Sequence, residues 1–172
     1  AVLFALMLIG LIAFVGLAVD GGHILNERRV TQNAADASAL GGVRYIATSD
    51  SPAEQELLRR IHDVVEANDL PDTDGIPGNE VNGNIVAYYT DERGNRMISP
   101  NCIIVGSCGG AVPPYALGLE VEVNNPVGTF FLNVIGWPSV EIGADAIAVA
   151  RGLTPSGIAD NVMVALGSCS TE

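Results

Sequence analysis

The sequence predicts an α+β protein, in which a long N-terminal α-helix with an apolar first half packs on an antiparallel β-sheet head with short helices. Three observations support this class. No proline interrupts the helical pattern before Pro52. Apolar and polar residues alternate over 116–124 and 140–151, which is the two-residue period of strands. All 20 acidic and 8 basic residues follow position 19, so apolar and charged regions are separated along the chain.

Residues 1–19 contain no charged or strongly polar side chain. As a helix they would span about 28 Å, close to the hydrocarbon thickness of a bilayer. A segment that is apolar on all sides must be covered on all sides, by lipid or by copies of itself. We therefore predict that the following residues pack in a membrane or in the core of a filament: Leu3, Phe4, Leu6, Leu8, Gly10, Leu11, Phe14, Gly16 and Leu17.

The helical pattern continues beyond the apolar segment to about residue 46, with bends expected at Gly21-Gly22 and Gly41-Gly42. A carboxylate at the border of an apolar helix needs a partner when neighbouring subunits bury it, so we expect Asp20 to pair with Arg28 or Arg29. The alternative is solvation of Asp20 at the membrane surface. The predicted division of the chain is a helix over 1–48 and an α+β head over 49–172.

The head begins with residues that are typical of a helix N-terminus. Ser51 is a candidate N-cap, Pro52 suits the first helical position and Glu54 suits a capping box, which together predict a helix over 52–68. A polar loop over 69–84 follows. The later elements are predicted as strands at 85–90, 96–105, 116–124, 140–151 and 159–166, with a short buried helix at 126–135 that hides Phe130, Phe131 and Val134.

The net charge of −12 and the pI near 4.3 restrict the possible partners. Binding to nucleic acid requires a basic surface that releases counterions from phosphates, and this chain has none. A polybasic contact with anionic lipid is excluded for the same reason. The acidity is typical of a solvated, mutually repelling surface.

Cys102 and Cys108 flank a short loop, and an extracytoplasmic head lies in an oxidising environment, so we predict a disulfide between them. The alternative is two free thiols in a reducing compartment. Cys169 would then be unpaired unless it bonds one of the others or a neighbouring chain. The three cysteines lack the histidine spacing of a zinc site.

Asp69, Asp72 and Asp74 give the polar loop the composition of a calcium site, but the loop does not fit the EF-hand template. Solvated acidic turns are the favoured interpretation, bound calcium is the alternative, and no other cofactor is predicted. No nucleophile, phosphate-binding or dinucleotide motif occurs, and His23 and His62 lie in no metal or catalytic pattern. We therefore predict no catalytic residues and no enzymatic activity.

Two stretches resemble a known family. Residues 1–42 read AVLFALMLIGLIAFVGLAVDGGHILNERRVTQNAADASALGG, and residues 126–151 read PVGTFFLNVIGWPSVEIGADAIAVAR. The first resembles the N-terminal segment of TadE/TadG-like proteins of tight-adherence (Tad) pilus systems, with the family pattern at Asp20, at Arg28-Arg29 and over 32–40. The second is similar to the distal part of those proteins.

This resemblance implies a type IV pilin-like protein whose basic leader is removed by a prepilin peptidase. It would reside in the inner (cytoplasmic) membrane and then polymerise with copies of itself into a surface filament, through the pilus assembly machinery, for adhesion or surface attachment. Many pilins carry a glutamate early in the apolar helix, and this chain has none in residues 1–19. Two alternatives remain open: a minor pilin or membrane-anchored assembly component, and an anchored extracytoplasmic enzyme or binding domain.

Overall fold

The computed structural model describes residues 2–70, 84–97, 102, 104–151 and 162–166. The elements of this part of the chain are α1 (Val2–Thr48), α2 (Glu54–Glu66), β1 (Ile85–Thr90), β2 (Gly118–Gly128), a 3₁₀ turn (Leu132–Ile135), β3 (Ser139–Arg151) and β4 (Val162–Leu166). The strands form one antiparallel sheet in the order β1-β2-β3-β4. The predicted α+β class, with a long N-terminal helix packed on an antiparallel sheet, is confirmed.

Helix α1 is continuous over 47 residues, and it is not interrupted at Gly21-Gly22 or at Gly41-Gly42, where bends were predicted. At Gly42 the physical reason is close packing on the sheet. A Cβ atom at this position would lie 2.6 Å from Cδ1 of Leu119 on β2. Glycine therefore lets the helix approach the sheet, and the surrounding contacts hold the helix through a residue of poor helix propensity.

The second half of α1 is part of the head core. Its small residues Ala34, Ala35 and Ala39 are buried together with side chains from α2 and from the sheet. The helix runs antiparallel to β2, because Gly42 lies at Leu119 whereas Thr31 lies at Asn125. As a consequence, the end of β2 and the β2–β3 connection lie towards the apolar end of α1.

Helix α2 starts later than predicted. It begins at Glu54, its N-cap is Ala53, and no side chain caps it, so the predicted capping box of Ser51 and Glu54 is wrong. The side chain of Glu54 is instead buried, and it accepts hydrogen bonds from the amides of Gly106, Cys108 and Gly110. Hydrogen bonds from a loop more than 50 residues away therefore take the place of the predicted capping interaction.

The strand predicted over 96–105 is not formed by the described residues of that range. Arg96 and Ile104 make only isolated bridges, to Thr90 and Tyr88 respectively. Positions 98–101 and 103 lie outside the described residues. Glycines and a disulfide in the following segment favour turns over a continuous ladder.

The helix predicted over 126–135 is also wrong. Strand β2 continues to Gly128, and only Leu132–Ile135 form a turn of 3₁₀ helix. Phe130, Phe131 and Val134 are exposed rather than buried, by 64%, 43% and 84%. The residues 129–138 connect two neighbouring strands, so they project from the end of the sheet and have no layer of the head to cover them.

Cys102 and Cys108 are joined by a disulfide, with their Cα atoms 4.8 Å apart. The bridge closes the loop whose amides surround the carboxylate of Glu54. The hydroxyl of Tyr89 also donates to Glu54, and burial together with the charge of Glu54 raises the pKa of Tyr89 above its usual value. Cys169 lies outside the described residues.

The substitution Cys102→Ser is expected to destabilise the head by about 2 kcal/mol, because a short disulfide loop restricts the unfolded chain by about that amount. The measurement is the melting temperature of the full chain in detergent under oxidising conditions. Adding a reductant to the wild type should reproduce the shift. An unchanged melting temperature in both cases would contradict the bridge.

Candidate membrane and assembly surface

The first part of α1 stands free of the head. Within residues 2–19 every position except Gly16 is exposed, although nearly all are apolar. One 18-residue window of α1 has a mean hydropathy of 2.9 and is only 6% buried, so the helix is long and apolar enough to cross a membrane. The apolar side chains predicted to pack in a membrane or filament are Leu3, Phe4, Leu6, Leu8, Leu11, Phe14 and Leu17, all of which are exposed.

Asp20 ends the apolar segment, and it is fully buried. Its carboxylate accepts hydrogen bonds from the backbone amides of Phe130, Phe131 and Leu132, at 2.9, 2.9 and 2.7 Å. The amides of Phe130 and Phe131 precede the 3₁₀ turn and that of Leu132 begins it, so these backbone donors have no partner within the turn. One side chain on α1 therefore fixes the β2–β3 connection against the helix.

Two further contacts place this connection beside the end of the apolar segment. At Gly16, a Cβ atom would lie 2.7 Å from the ring of Phe131, so glycine is needed for the ring to lie on the helix. One turn beyond Asp20, the rings of His23 and Phe130 have their centroids 5.5 Å apart. Gly16 thus contacts its own head, and its packing in a membrane or in the core of a filament stays a prediction.

The same face of α1 makes polar contacts further along the sheet. The side-chain amide of Asn125 donates to the hydroxyl of Thr31 at 3.3 Å, and that of Gln32 donates to the carbonyl of Asp145 at 3.1 Å. Glu27 lies beside Asn125, with 3.5 Å between donor and acceptor. The two stretches that carry the family resemblance, 1–42 and 126–151, are therefore in contact.

Within the chain, Asp20 does not form the expected pair with Arg28 or Arg29. Arg28 and Arg29 are exposed on α1, whereas the carboxylate of Asp20 is enclosed by backbone amides. The physical reason is that three aligned amide donors satisfy a carboxylate without the desolvation of a second charge. Sequence reasoning missed these partners because backbone amides carry no sequence signal.

No metal centre is assembled in the part of the chain described. No three residues among its His, Cys, Asp and Glu lie close enough to hold a metal ion. Of the predicted calcium ligands, Asp69 follows α2 with a left-handed backbone (φ 64°), and Asp72 and Asp74 lie outside the described residues.

These features define a class of protein: an α+β head carried on a long helix, whose apolar half extends away from the head. Residues 1–44 match a family model described as putative Flp pilus-assembly TadE/G-like, which confirms the family resemblance in the N-terminal segment. No curated protein and no solved structure matches the chain. The match associates the chain with Tad pilus systems, and an apolar N-terminal helix fits a location at the membrane or cell surface.

Proposed function

We propose that this protein is a structural pilin subunit, which polymerises through residues 1–19 into a Tad or type IV-like surface filament for adhesion or surface attachment. Before assembly the apolar helix crosses the inner membrane, and the head over 49–172 lies outside it. In the filament the helix packs against copies of itself and the heads face solvent. Passage from one state to the other would require leader removal by a prepilin peptidase and the pilus assembly machinery.

The observation that carries this proposal is the exposure of the apolar segment on a folded head. Residues 2–15 extend about 21 Å past the contact at Gly16, at the rise of an α-helix. The buried core is formed by residues from position 34 onwards, so the segment is not needed to complete it. Exposing so many apolar side chains to water costs about 1.5–3 kcal/mol for each large one, which requires lipid or other copies as cover.

The substitution Leu11→Arg tests this assembly. Leu11 is 62% exposed and lies in the middle of the apolar segment, so an arginine there should leave the head folded. Its charge would be buried without a partner between helices, and we expect surface fibres to be lost, as counted by electron microscopy. An arginine at the centre of a membrane helix costs only about 2.5–3.5 kcal/mol, so the variant should remain in the membrane fraction.

The matched control is Leu25→Arg, since Leu25 is also 62% exposed on α1 but lies beyond Asp20. This variant should still form fibres. Fibres from Leu11→Arg at wild-type abundance would contradict burial of the segment in the polymer. Gly16→Arg is unsuitable, because any side chain at Gly16 would displace Phe131 in the same chain.

A second candidate function is a minor pilin or membrane-anchored assembly component. Residues 1–19 carry no acidic side chain that could pair with an adjacent subunit inside the apolar packing, and this favours the second candidate. Mass spectrometry of purified fibres separates the two candidates. As the major subunit, this chain would be the dominant source of peptides; a trace amount would assign it the minor role.

A further inference from the structure

We propose that the β2–β3 connection, residues 129–138, inserts into the lipid headgroup region beside the apolar helix and orients the head on the membrane before assembly. We call this connection the apolar tip. The proposal rests on the membrane stage of the proposed function and adds a second contact between the protein and the bilayer. The partner that the tip contacts is therefore phospholipid.

The apolar tip has the composition of an interfacial membrane segment. Its sequence, TFFLNVIGWP, contains no charged residue. Five large apolar side chains are exposed on it: Phe130, Phe131, Val134, Ile135 and Trp137. Aromatic residues, and tryptophan above all, favour the boundary between headgroups and acyl chains, where an apolar ring can be buried while polar atoms stay hydrated.

The contacts with α1 set the depth of the tip. Phe131 lies against Gly16, which is within the apolar segment and four residues before Asp20. Four residues of helix correspond to about 6 Å along the axis. When lipid surrounds residues 2–19, Phe131 therefore lies about 6 Å on the lipid side of Asp20, a depth typical of interfacial segments, which are buried by about 5–10 Å.

The tip is also held rigidly at this depth. Asp20 accepts from three consecutive tip amides, and the hydroxyl of Thr129 donates to the carbonyl of Trp137 within the tip. These bonds join the tip to the same chain, so its depth does not depend on a neighbouring copy. Continuity with the apolar helix thus favours lipid over a second copy as the partner of the tip before assembly.

Trp137 permits a direct test, because it is the single tryptophan of the chain and is 66% exposed. The full chain is reconstituted into phosphatidylcholine vesicles at less than one chain per vesicle on average. The acyl chains carry bromine either near the headgroups or near the bilayer centre. We expect several-fold stronger quenching of Trp137 by the shallow bromine than by the deep one, and protection of Trp137 from aqueous iodide.

The matched control moves the tryptophan to the opposite end of the sheet. In the double variant Trp137→Phe, Tyr115→Trp, the new tryptophan replaces a residue that is 54% exposed and precedes β2, whereas the tip follows β2. Its emission should be quenched by iodide and unaffected by bromine. A second variant, Val134→Asp, alters an 84% exposed tip residue and should lower the shallow quenching of Trp137 several-fold without shifting the melting temperature.

Three outcomes would overturn the proposal. If the chain enters the vesicles but Trp137 is quenched by iodide and not by bromine, the tip does not contact lipid, and the proposed function is unaffected. If protection of Trp137 appears only at high chain density, the tip contacts a second copy instead. If the chain does not enter the vesicles, both the tip proposal and the membrane stage of the proposed function are wrong.

Discussion

Replacing Glu54 with alanine is expected to destabilise the head by about 3–5 kcal/mol, because each buried donor left without an acceptor costs about 1–3 kcal/mol. The carboxylate of Glu54 is 2% exposed, and it accepts from three backbone amides of the 106–110 loop and from the hydroxyl of Tyr89. Stabilities of single domains are about 5–15 kcal/mol, so this loss is a large fraction of the total. Thermal or denaturant unfolding of the full chain in detergent measures it.

The control for this prediction is Glu56→Ala. Glu56 lies on the same helix, and its carboxylate forms ion pairs with Arg59 and Arg60 that are open to solvent. Surface pairs of this kind contribute little to stability, so the melting temperature should hardly change. Equal losses for the two variants would show that burial and the loop amides are not the source of the effect.

Replacing Asp20 with alanine is expected to release the apolar tip from α1. The amides of Phe130, Phe131 and Leu132 would lose their acceptor, and their hydrogen exchange should accelerate about tenfold or more. The substitution Asp20→Asn keeps one acceptor oxygen but turns an amide donor towards the same groups, so its effect should lie between those of alanine and the wild type. Exchange measured by mass spectrometry or NMR reports these amides directly.

The double substitution Arg28→Ala, Arg29→Ala is the matched control. If Asp20 depended on an ion pair with these arginines, their removal would also accelerate exchange at 130–132. Because Asp20 is enclosed by backbone donors and both arginines are exposed, we expect no acceleration. Faster exchange in the arginine variant would contradict the assignment of the amides as the partners that matter.

The elements with strong periodicity were predictable from sequence. The second helix and the strands β1, β2 and β3 were placed to within a few residues, because a buried face imposes its period on the sequence. The long α1 was placed instead from its continuous apolar run and the absence of proline before Pro52. The helix predicted over 126–135 was wrong. Its apolar residues suggested burial, but a connection between adjacent strands has no covering layer within the head.

The sequence likewise predicted the apolar segment of the candidate surface but not the hydrogen-bond partners of its carboxylate. Nineteen apolar residues in succession require cover on every face, and this follows from composition alone. The partners of Asp20 and Glu54 did not follow from composition. Both carboxylates bind backbone amides, from positions 130–132 and 106–110, and such donors are identical at every non-proline residue.

The sequence by itself determined that this protein has an apolar helix leading into an acidic α+β head, because hydropathy and periodicity are local properties of the chain. Only the tertiary structure decided that Gly16 and Asp20 bind the β2–β3 connection. The physical reason is that this contact joins residues more than 100 positions apart, through backbone donors and a close approach that only the packing of α1 on the sheet creates.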